Sequence, residues 1–369
     1  MVSLALKVLN VVGARPNFMK MAPIMREMKK RGFFKPVLVH TGQHYDYNLN
    51  RIFFQELSIP KPDYFLDVGS ASQSTQTALI MERFERVLLK EKPDLVLVVG
   101  DVNSTLACAL VAAKEHYPLA HVEAGLRSGD LKMPEEVNRI LTDRISTLLF
   151  TTSLDANANL EKEGIRKGIF FVGNTMIDSL KIFEKQALKT GSHLKLGLKE
   201  RGYCLATLHR AENVDERKTL EKLAKMLLVA SKFAKVVFPV HPRTLKNLKK
   251  TGLGKKLEEK GILIIKPRGY LEFLNLEAKA KFVLTDSGGV QEETTVLGVP
   301  CFTARKNTER PITVSQGTNT IVNLDAKKLE RELEKLYSKK GKKGKIPEKW
   351  DGKAAKRICS VLQKGRKGF

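Results

Sequence analysis

Residues 95–127 decide the fold, and their sequence is LVLVVGDVNSTLACALVAAKEHYPLAHVEAGLR. Two apolar runs, Leu95 to Val99 and Leu119 to Val122, lie on either side of a longer helical stretch. Short β-branched runs that alternate with helical segments are typical of parallel βαβ units. This stretch therefore predicts an α/β protein with a parallel sheet.

The same alternation covers the first half of the chain and then begins again. Further runs in the first half are Lys7 to Val12, Pro36 to Val39, Leu148 to Thr151 and Ile169 to Val172. A Lys-rich helical stretch from about Gly173 to Gly202 has the character of a crossover between domains. The runs of the second half are Tyr203 to Leu208, Val236 to Val240, Ile262 to Ile265, Phe282 to Thr285 and Val299 to Phe302. A chain of 369 residues has room for about two domains, so the pattern predicts two doubly wound α/β domains facing a central cleft.

The charge of the chain is strongly positive, with 65 Lys and Arg against 40 Asp and Glu. Residues 338–369 contain twelve basic and two acidic residues, so this segment alone contributes +10 to the net charge of +25. Within it, residues 339–345 have the composition of a solvated Lys/Gly linker, and no aromatic side chains are interleaved. We therefore expect no nucleic-acid partner.

Hydropathy and cysteine usage place the chain among soluble proteins. No apolar run reaches the roughly 18 residues that span a bilayer, and no secretory signal is recognisable. The four cysteines, at positions 108, 204, 301 and 359, form no C-x-x-C pair. We expect a cytoplasmic protein with reduced cysteines, no membrane partner and no metal site.

Acidic residues follow neighbouring strands of the first half. Ligands of open parallel sheets bind beyond the carboxyl ends of the strands, where Asp101 and Glu123 come directly after two of the runs. Glu136 is a third acid, early in a helix that Pro134 opens. Crowded carboxylates raise one another's pKa, which can give one acid and one base near neutral pH. The alternatives are structural: capping of the next helix by Asp101 and Glu123, and helix-dipole complementation by Glu136.

The first strand leads into Gly13 and a turn that opens a helix, with Arg15 and Lys20 placed for an anion. The turn does not match the G-x-G-x-x-G dinucleotide fingerprint, which argues against NAD. The helix carries Phe18 and Met21 among other apolar residues on one face, and this spacing is typical of a core face.

The second half supplies groups that suit a nucleoside diphosphate. His209 and Arg210 follow its first run, and His241 follows its second. The turn Ser287-Gly288-Gly289 opens a helix whose backbone N–H groups can bind phosphate, although Ser287 could also act only as a helix cap. Glu293, one turn further on, could accept a hydrogen bond from a ribose hydroxyl, and Arg310 adds another cation.

Nine motifs in this order resemble the non-hydrolysing UDP-N-acetylglucosamine 2-epimerase family. They are GARPNFMKMAP, TGQHYDY, GDVNST, HVEAGLRS, MPEEVNRILTD, HRAEN, PVHP, TDSGGVQEE and NTERP, spread over residues 13–311. The resemblance implies a GT-B fold of two Rossmann-like domains and a homodimer that serves cell-surface polysaccharide biosynthesis. It also implies an isomerase that interconverts UDP-GlcNAc and UDP-ManNAc without a metal or nicotinamide cofactor.

The resemblance also assigns roles to individual residues. The catalytic residues would be Asp101, Glu123, Glu136 and His209. The substrate-binding residues would be Arg15, Lys20, Arg210, His241, Phe273 beside the uracil, Ser287, Gly288, Gly289, Glu293 and Arg310. Gln43 and His44 are candidates for an allosteric site, although the sequence around them differs from members that a second UDP-GlcNAc activates.

The expected domains are residues 1–175 and 176–345, with residues 346–369 forming a C-terminal helix that crosses back to the first domain. The chemistry would be elimination of UDP to a 2-acetamidoglucal, followed by re-addition with a proton delivered to the other face of C2. Three enzymatic alternatives remain at this stage: a 2-epimerase of UDP-2,3-diacetamido-glucuronate, a GT-B glycosyltransferase and a hydrolysing relative. A nucleic-acid-binding module is the alternative from another class.

Overall fold

A computed structural model describes residues 5–43, 56–57 and 59–365 of the chain. The chain divides into two compact units. The first comprises Met1–Ile182 together with Glu348–Phe369, and the second comprises Phe183–Pro347. Each unit is built on its own parallel sheet with helices, so the predicted α/β class is confirmed.

The described residues of the first unit form a seven-stranded parallel sheet in the order β3-β2-β1-β4-β5-β6-β7. Its strands are β1 (Leu6–Val12), β2 (Phe34–His40), β3 (Tyr64–Phe65), β4 (Leu95–Val99), β5 (Leu119–Ala124), β6 (Leu148–Thr151) and β7 (Ile169–Phe171). Its helices are α1 (Arg15–Arg31), α2 (Gln73–Glu91), α3 (Asn103–Lys114), α4 (Pro134–Ile145), α5 (Leu154–Lys162) and α6 (Thr175–Lys189), the last of which continues into the second unit.

The described residues of the second unit form a six-stranded parallel sheet in the order β10-β9-β8-β11-β12-β13. Its strands are β8 (Tyr203–Thr207), β9 (Lys235–Pro239), β10 (Leu263–Ile265), β11 (Phe282–Thr285), β12 (Cys301–Thr303) and β13 (Asn319–Ile321). Its helices are α7 (Ser192–Lys195), α8 (Ala211–Val214), α9 (Arg217–Ser231), α10 (Pro242–Thr251), α11 (Leu253–Glu259), α12 (Tyr270–Lys279), α13 (Gly288–Leu297), α14 (Pro311–Ser315) and α15 (Ala326–Tyr337).

The apolar runs form strands because a parallel sheet covered by helices buries both faces of each strand. All five residues of β4 are buried, which explains why the sequence of this strand is continuously apolar. On α1, Phe18, Met21, Met25 and Met28 are 2% exposed or less, so this apolar face is a core face as predicted. Each predicted run coincides with or overlaps a strand.

Two strands, β3 and β13, were not predicted: β3 has only two residues, and Ile321 is the single apolar residue of β13, after Asn319 and Thr320. The interpretation of residues 339–345 as a solvated linker was wrong in part. The ammonium group of Lys342 donates to the carbonyl oxygens of Asn319, at 2.8 Å, and of Val314. A Cβ at Gly344 would lie only 2.6 Å from the carbonyl carbon of Gly317, so glycine permits this close approach.

The end of the chain belongs to the first unit. Helix α16 (Ala354–Gly365) begins where the Asp178 carboxylate accepts the N–H groups of Ala354 and Ala355, at 3.0 and 2.7 Å. Arg31 at the end of α1 donates to the carbonyl oxygen of Lys356 and to the hydroxyl of Ser360, at 2.8 and 3.0 Å. These contacts join α16 to α1 within the same unit.

Two further observations concern the described residues alone. None of their helices combines the length and the hydropathy that a bilayer crossing requires. The cysteines at positions 108, 204, 301 and 359 are all buried free thiols.

Candidate active site

Lys20 and Glu123 form a buried ion pair at the carboxyl edge of the first sheet. The two side chains are only 5% and 4% exposed. Glu123 lies at an irregularity of β5 and has a φ of 75°, a conformation that a residue with a side chain rarely adopts. Such strain costs on the order of 1–3 kcal/mol and is concentrated at functional sites. The position of the Glu123 carboxylate therefore depends on a strained backbone conformation, which costs free energy of folding.

Arg139 joins the other two predicted acids. From its position on α4, its guanidinium group pairs with the carboxylate of Asp101 and, at 2.6 Å, with that of Glu136. Arg139 and Glu136 are almost fully buried, whereas the side chain of Asp101 is 22% exposed. Of the two carboxylates that Arg139 holds, Asp101 is the more open to solvent.

The surroundings of Glu136 favour its ionised form. Burial opposes the charge of this carboxylate, but hydrogen bonds from the N–H groups of Ser128 and Gly129 and the ion pair with Arg139 outweigh burial and lower its pKa. The N–H distances are 2.9 Å from Ser128 and 2.7 Å from Gly129. Glu136 therefore does more than complement the dipole of α4. It acts as an anionic anchor for Arg139 and for the loop before the helix.

The structural alternative for Asp101 was capping of the following helix. Helix α3 begins at Asn103 with Val102 at its cap position, and no side chain caps it. Asp101 is instead held through its backbone, where the side-chain amide of Asn138 donates to its carbonyl oxygen at 2.9 Å. Both the backbone and the side chain of Asp101 are thus fixed by residues of α4.

Tight packing connects β1 to these acids. The side chain of Asn17 accepts the N–H groups of Gly13 and Ala14, at 3.1 and 3.0 Å, and donates to the carbonyl of Val99 at 3.0 Å. A Cβ at Gly100 would lie 3.1 Å from the ammonium nitrogen of Lys20. Gly100 also has a φ of +71°, so glycine is required where the turn after β4 approaches the ion pair.

Gln43, a candidate allosteric residue, contacts the start of α3. Its side-chain oxygen accepts the N–H and the hydroxyl of Ser104, at 3.1 and 2.6 Å, and its carbonyl accepts the amide of Gln76 at 3.0 Å. The side chain is buried. His44 and the side chain of Arg15 lie outside the described residues.

Asp286 organises the carboxyl edge of the second sheet. Its buried carboxylate accepts the N–H groups of His209, at 3.1 Å to each oxygen, and of Arg210 at 3.0 Å. It also accepts the side-chain amide of Asn213 at 3.0 Å. The imidazole of His209 remains 41% exposed, and its ring centroid lies 6.0 Å from that of His241. The loop after β8 is thus fixed while His209 stays accessible.

An arginine cluster lies beside the N-terminus of α13. Arg310 pairs with Glu292 at 2.8 Å and with Glu309, and Arg305 pairs with Glu309 at 2.8 Å. Arg210 lies 3.5 Å from the same Glu309 carboxylate. Three arginines and two carboxylates thus lie together in this cluster.

Two glycines open helix α13, and Ser287 precedes them without a side-chain cap bond. A Cβ at Gly288 would lie 2.9 Å from both the guanidinium carbon of Arg310 and a carboxylate oxygen of Glu309. Glycine therefore allows the arginine cluster to lie against the first turn. Free N–H groups at a helix N-terminus and nearby guanidinium groups both favour an anion.

Glu293 is buried one turn further along α13. Tyr270 donates a hydrogen bond to its carboxylate at 2.9 Å. Burial is the largest cause that raises the pKa of Glu293 to about 7, and Glu277 contacts the same carboxyl group. Phe273 lies on α12 between Tyr270 and Glu277 in sequence and is half-buried. The ribose-binding role of Glu293 and the uracil-binding role of Phe273 stay predictions.

Sequence reasoning missed the partners that hold the predicted residues. Arg139 and Asn17 in the first unit, and Asp286 and Arg305 in the second, were not singled out. Arg139 could have been found, because it lies three residues after Glu136 and one helical turn separates them. For Asp286, the only signal in the sequence was its position directly after β11.

Two parallel α/β units, each with a polar carboxyl edge, define a two-domain enzyme of the GT-B-like class. The family model for UDP-N-acetylglucosamine 2-epimerase matches residues 26–363. The chain belongs to the UDP-N-acetylglucosamine 2-epimerase family, and the family predicted from the motifs is confirmed.

Individual relatives resemble the chain over most of its length. A UDP-N-acetylglucosamine 2-epimerase homolog from Methanococcus maripaludis is 48% identical over 90% of this chain and 92% of its own. A UDP-2,3-diacetamido-2,3-dideoxy-D-glucuronate 2-epimerase from Pseudomonas aeruginosa is 44% identical over 86% and 88%. The crystal structure of Methanocaldococcus jannaschii UDP-GlcNAc 2-epimerase in complex with UDP-GlcNAc and UDP has a TM-score of 0.90 and 44% identity. It covers 98% of this chain and 100% of its own.

Proposed function

We propose that this protein interconverts UDP-GlcNAc and UDP-ManNAc by inversion at C2. The observation that carries the proposal is the carboxyl edge of the first sheet, where three acids are held by two cations. Lys20 pairs with Glu123, and Arg139 pairs with Asp101 and Glu136. An inversion at carbon needs one group to remove a proton and another to return one, and this edge offers such groups.

The proposed reaction has two halves. In the first, a carboxylate takes the C2 proton, the C1–C2 double bond forms, and the electron pair of the broken C1–O bond leaves with UDP. In the second, UDP oxygen attacks C1 while a proton is delivered to the opposite face of C2. Asp101, as the more open of the two carboxylates on Arg139, and Glu123 are our candidates for these transfers.

The second unit supplies the groups for the leaving diphosphate. Cationic donors and helix N-terminal N–H groups stabilise charge that develops on a leaving group. Arg210, Arg310 and the first turn of α13 have these properties, and His209 is exposed for a proton-transfer or hydrogen-bonding role. Glu293 and Phe273 would bind the ribose and the uracil.

Reaction in D₂O tests the proposal. Incubation with UDP-GlcNAc should place deuterium at C2 of both UDP-sugars, because the removed proton exchanges with solvent before one is returned. Mass spectrometry and NMR of the nucleotide sugars measure the label. A reaction without label at C2, or one that releases only free sugar and UDP, would contradict the proposal. Formation of a glycosidic bond to an added acceptor would favour the glycosyltransferase alternative.

A second substrate is tested beside the first. The Pseudomonas aeruginosa relative named for UDP-2,3-diacetamido-2,3-dideoxy-D-glucuronate is 44% identical, close to the values for the UDP-GlcNAc relatives. The two sugars share the C2 acetamido group and the UDP, so the same elimination applies to both. The ratio of kcat/KM for the two UDP-sugars decides which is the substrate. We expect the ratio to favour UDP-GlcNAc.

We further propose a homodimer in the cytoplasm that supplies cell-surface polysaccharide synthesis. Exposed apolar side chains support a protein partner: Val137 and Leu141 lie one turn apart on α4 and are 38% and 44% exposed, and Leu131 before the helix is 70% exposed. Light scattering should give twice the mass of 41.4 kDa. Leu141→Glu should shift the mass towards the monomer, whereas Leu194→Glu, an exposed leucine on α7, should not.

A further inference from the structure

His121 is a completely buried histidine that the proposed reaction does not use. It lies on β5, two residues before Glu123. Its Nδ1 is 2.6 Å from a carboxylate oxygen of Asp143, and its Nε2 is 2.8 Å from the carbonyl oxygen of Gly100. Both ring nitrogens thus contact an oxygen at hydrogen-bonding distance.

The hydrogen-bond partners of the His121 ring indicate which way the ring is held. A carbonyl oxygen can only accept, so Nε2 of His121 must donate to Gly100. Asp143 is ionised: burial opposes its charge, but His121 and Arg127 outweigh burial and lower its pKa. Its other oxygen accepts the N–H of Gly125 at 3.0 Å and the guanidinium of Arg127 at 2.7 Å. Asp143 contacts the other ring nitrogen, Nδ1, and so holds the ring in the orientation that points Nε2 at the Gly100 carbonyl.

The Gly100 carbonyl belongs to the peptide bond that precedes Asp101. The next carbonyl, that of Asp101, accepts the side-chain amide of Asn138 at 2.9 Å. The peptide groups on both sides of Asp101 are therefore held, one by His121 and the other by α4. Gly100 also packs near the Lys20 and Glu123 pair, since a Cβ there would lie 3.4 Å from a Glu123 oxygen.

We propose that His121 is a positioning residue: held by Asp143, it donates from Nε2 to the Gly100 carbonyl, fixes the Gly100–Asp101 peptide and thereby fixes the orientation of the Asp101 carboxylate. The charged groups around His121 are Asp143 on α4, Arg127 after β5 and Glu123 on its own strand. This inference rests on the proposed function, because it supposes that Asp101 transfers a proton. A displacement of about 1 Å at a reacting group can cost on the order of 10² in rate.

The test compares His121→Gln and His121→Leu with the wild type. Glutamine can still donate to the Gly100 carbonyl, whereas leucine cannot. We expect kcat for UDP-GlcNAc epimerisation to decrease about 10-fold in H121Q and about 10²-fold in H121L. KM and the Kd for UDP should stay within about twofold of the wild type. His116→Asn, at an exposed histidine in the turn after α3, is the matched control and should keep wild-type kinetics.

A measurement on the wild type accompanies the kinetics. With ¹⁵N-labelled histidine, the His121 ring, identified as the signal absent from H121Q, should show a proton on Nε2, as donation to the Gly100 carbonyl requires. A ring without a proton on Nε2 overturns the proposal, and this spectrum alone decides the matter if H121L does not fold.

The kinetic outcomes are equally decisive. A folded H121L with kcat within twofold of the wild type, or a UDP affinity that falls as much as kcat, also overturns the positioning role. A wild type that introduces no deuterium at C2 contradicts the proposed function instead, and the ring spectrum remains interpretable.

Discussion

The carboxyl edges of the two sheets have the same backbone architecture but carry different charged clusters. At the first edge, three carboxylates share two cations, Lys20 and Arg139. At the second edge, three arginines share two carboxylates beside the N-terminus of α13. Parallel strands followed by helices place side chains at an edge, and the side chains alone set its chemistry.

The difference indicates a division of labour between the units. Carboxylates suit proton transfer, whereas guanidinium groups at a helix N-terminus suit a diphosphate. On this division of labour, substitutions at the first edge should change turnover, and substitutions at the second should change UDP affinity. The predictions below begin with the largest expected effect.

Asp101→Asn should lower kcat by about 10² to 10⁴, with the Kd for UDP within about twofold of the wild type. Asparagine has the same size and can still contact Arg139, but it cannot take up a proton. Steady-state kinetics and titration calorimetry with UDP measure the two quantities.

The matched control is Asp94→Asn, at the other end of β4, where the carboxylate accepts the N–H of Lys7 at 2.7 Å. It should keep wild-type turnover. An Asp101→Asn protein that lost UDP affinity but kept its kcat would reverse the division of labour between the edges.

Arg310→Ala should weaken UDP binding by about 10- to 100-fold, with a smaller effect on kcat at saturation. Its removal also leaves the buried carboxylates of Glu292 and Glu309 with less compensation, so the free energy of unfolding should decrease by roughly 3 kcal/mol. Calorimetry with UDP and thermal unfolding measure the two effects.

Arg331→Ala on the exposed surface of α15 is the control and should change neither quantity. Unaltered UDP affinity in a folded Arg310→Ala protein would show that the arginine cluster is structural only.

Arg139→Lys should lower kcat by about 10- to 100-fold with UDP affinity unchanged. Lysine keeps the charge, but a single ammonium group cannot reproduce the planar fork that holds Asp101 and Glu136 together. Arg144→Lys, later on the same helix, should have little effect. Equal kcat values for both variants would mean that the bridge between the two acids does not matter for turnover.

The sequence predicted which residues come to each edge but not how they are paired. Position at a strand end sufficed for Asp101 and Glu123, because parallel strands present their carboxyl ends together. The cation that neutralises an acid depends on long-range packing: Arg139 is 38 residues from Asp101, and Lys20 is 103 residues from Glu123.

The same limit applies to the second edge and to irregular segments. Asp286 accepts the N–H of His209 although the two residues are 77 positions apart in the sequence. No local sequence pattern predicts that contact. Lys342 shows the converse, since a segment with the composition of a linker is docked on backbone carbonyls. A Lys/Gly-rich composition shows that a segment can be solvated. It does not show which backbone carbonyl groups the folded chain places within hydrogen-bonding distance of a lysine.

A carboxyl pair in the second unit leads to the smallest expected effect. Glu277 is completely buried, and its carboxyl group contacts that of Glu293. Two carboxyl groups in contact require a shared proton. Burial, followed by the charge of Glu293, raises the pKa of Glu277, and burial raises that of Glu293 to about 7.

A carboxyl group whose pKa is higher in the folded protein than in the unfolded chain stabilises the fold below its ordinary pKa. That contribution is lost as the pH rises through the folded value. For Glu293 the window extends from about 4.5 to about 7. Wild-type stability should therefore fall across this range, by about 1–3 kcal/mol more than that of Glu277→Gln, whose amide can donate to an ionised Glu293.

Thermal unfolding at pH 5, 6, 7 and 8 measures the difference. Asp178, whose pKa burial raises to about 6, contributes a decline of the same sign to both proteins, so only the difference between the curves is informative. Glu272→Gln, at a partly exposed position on the same helix α12, is the control and should parallel the wild type. Parallel curves for the wild type and Glu277→Gln would show that the two carboxyl groups do not share a proton.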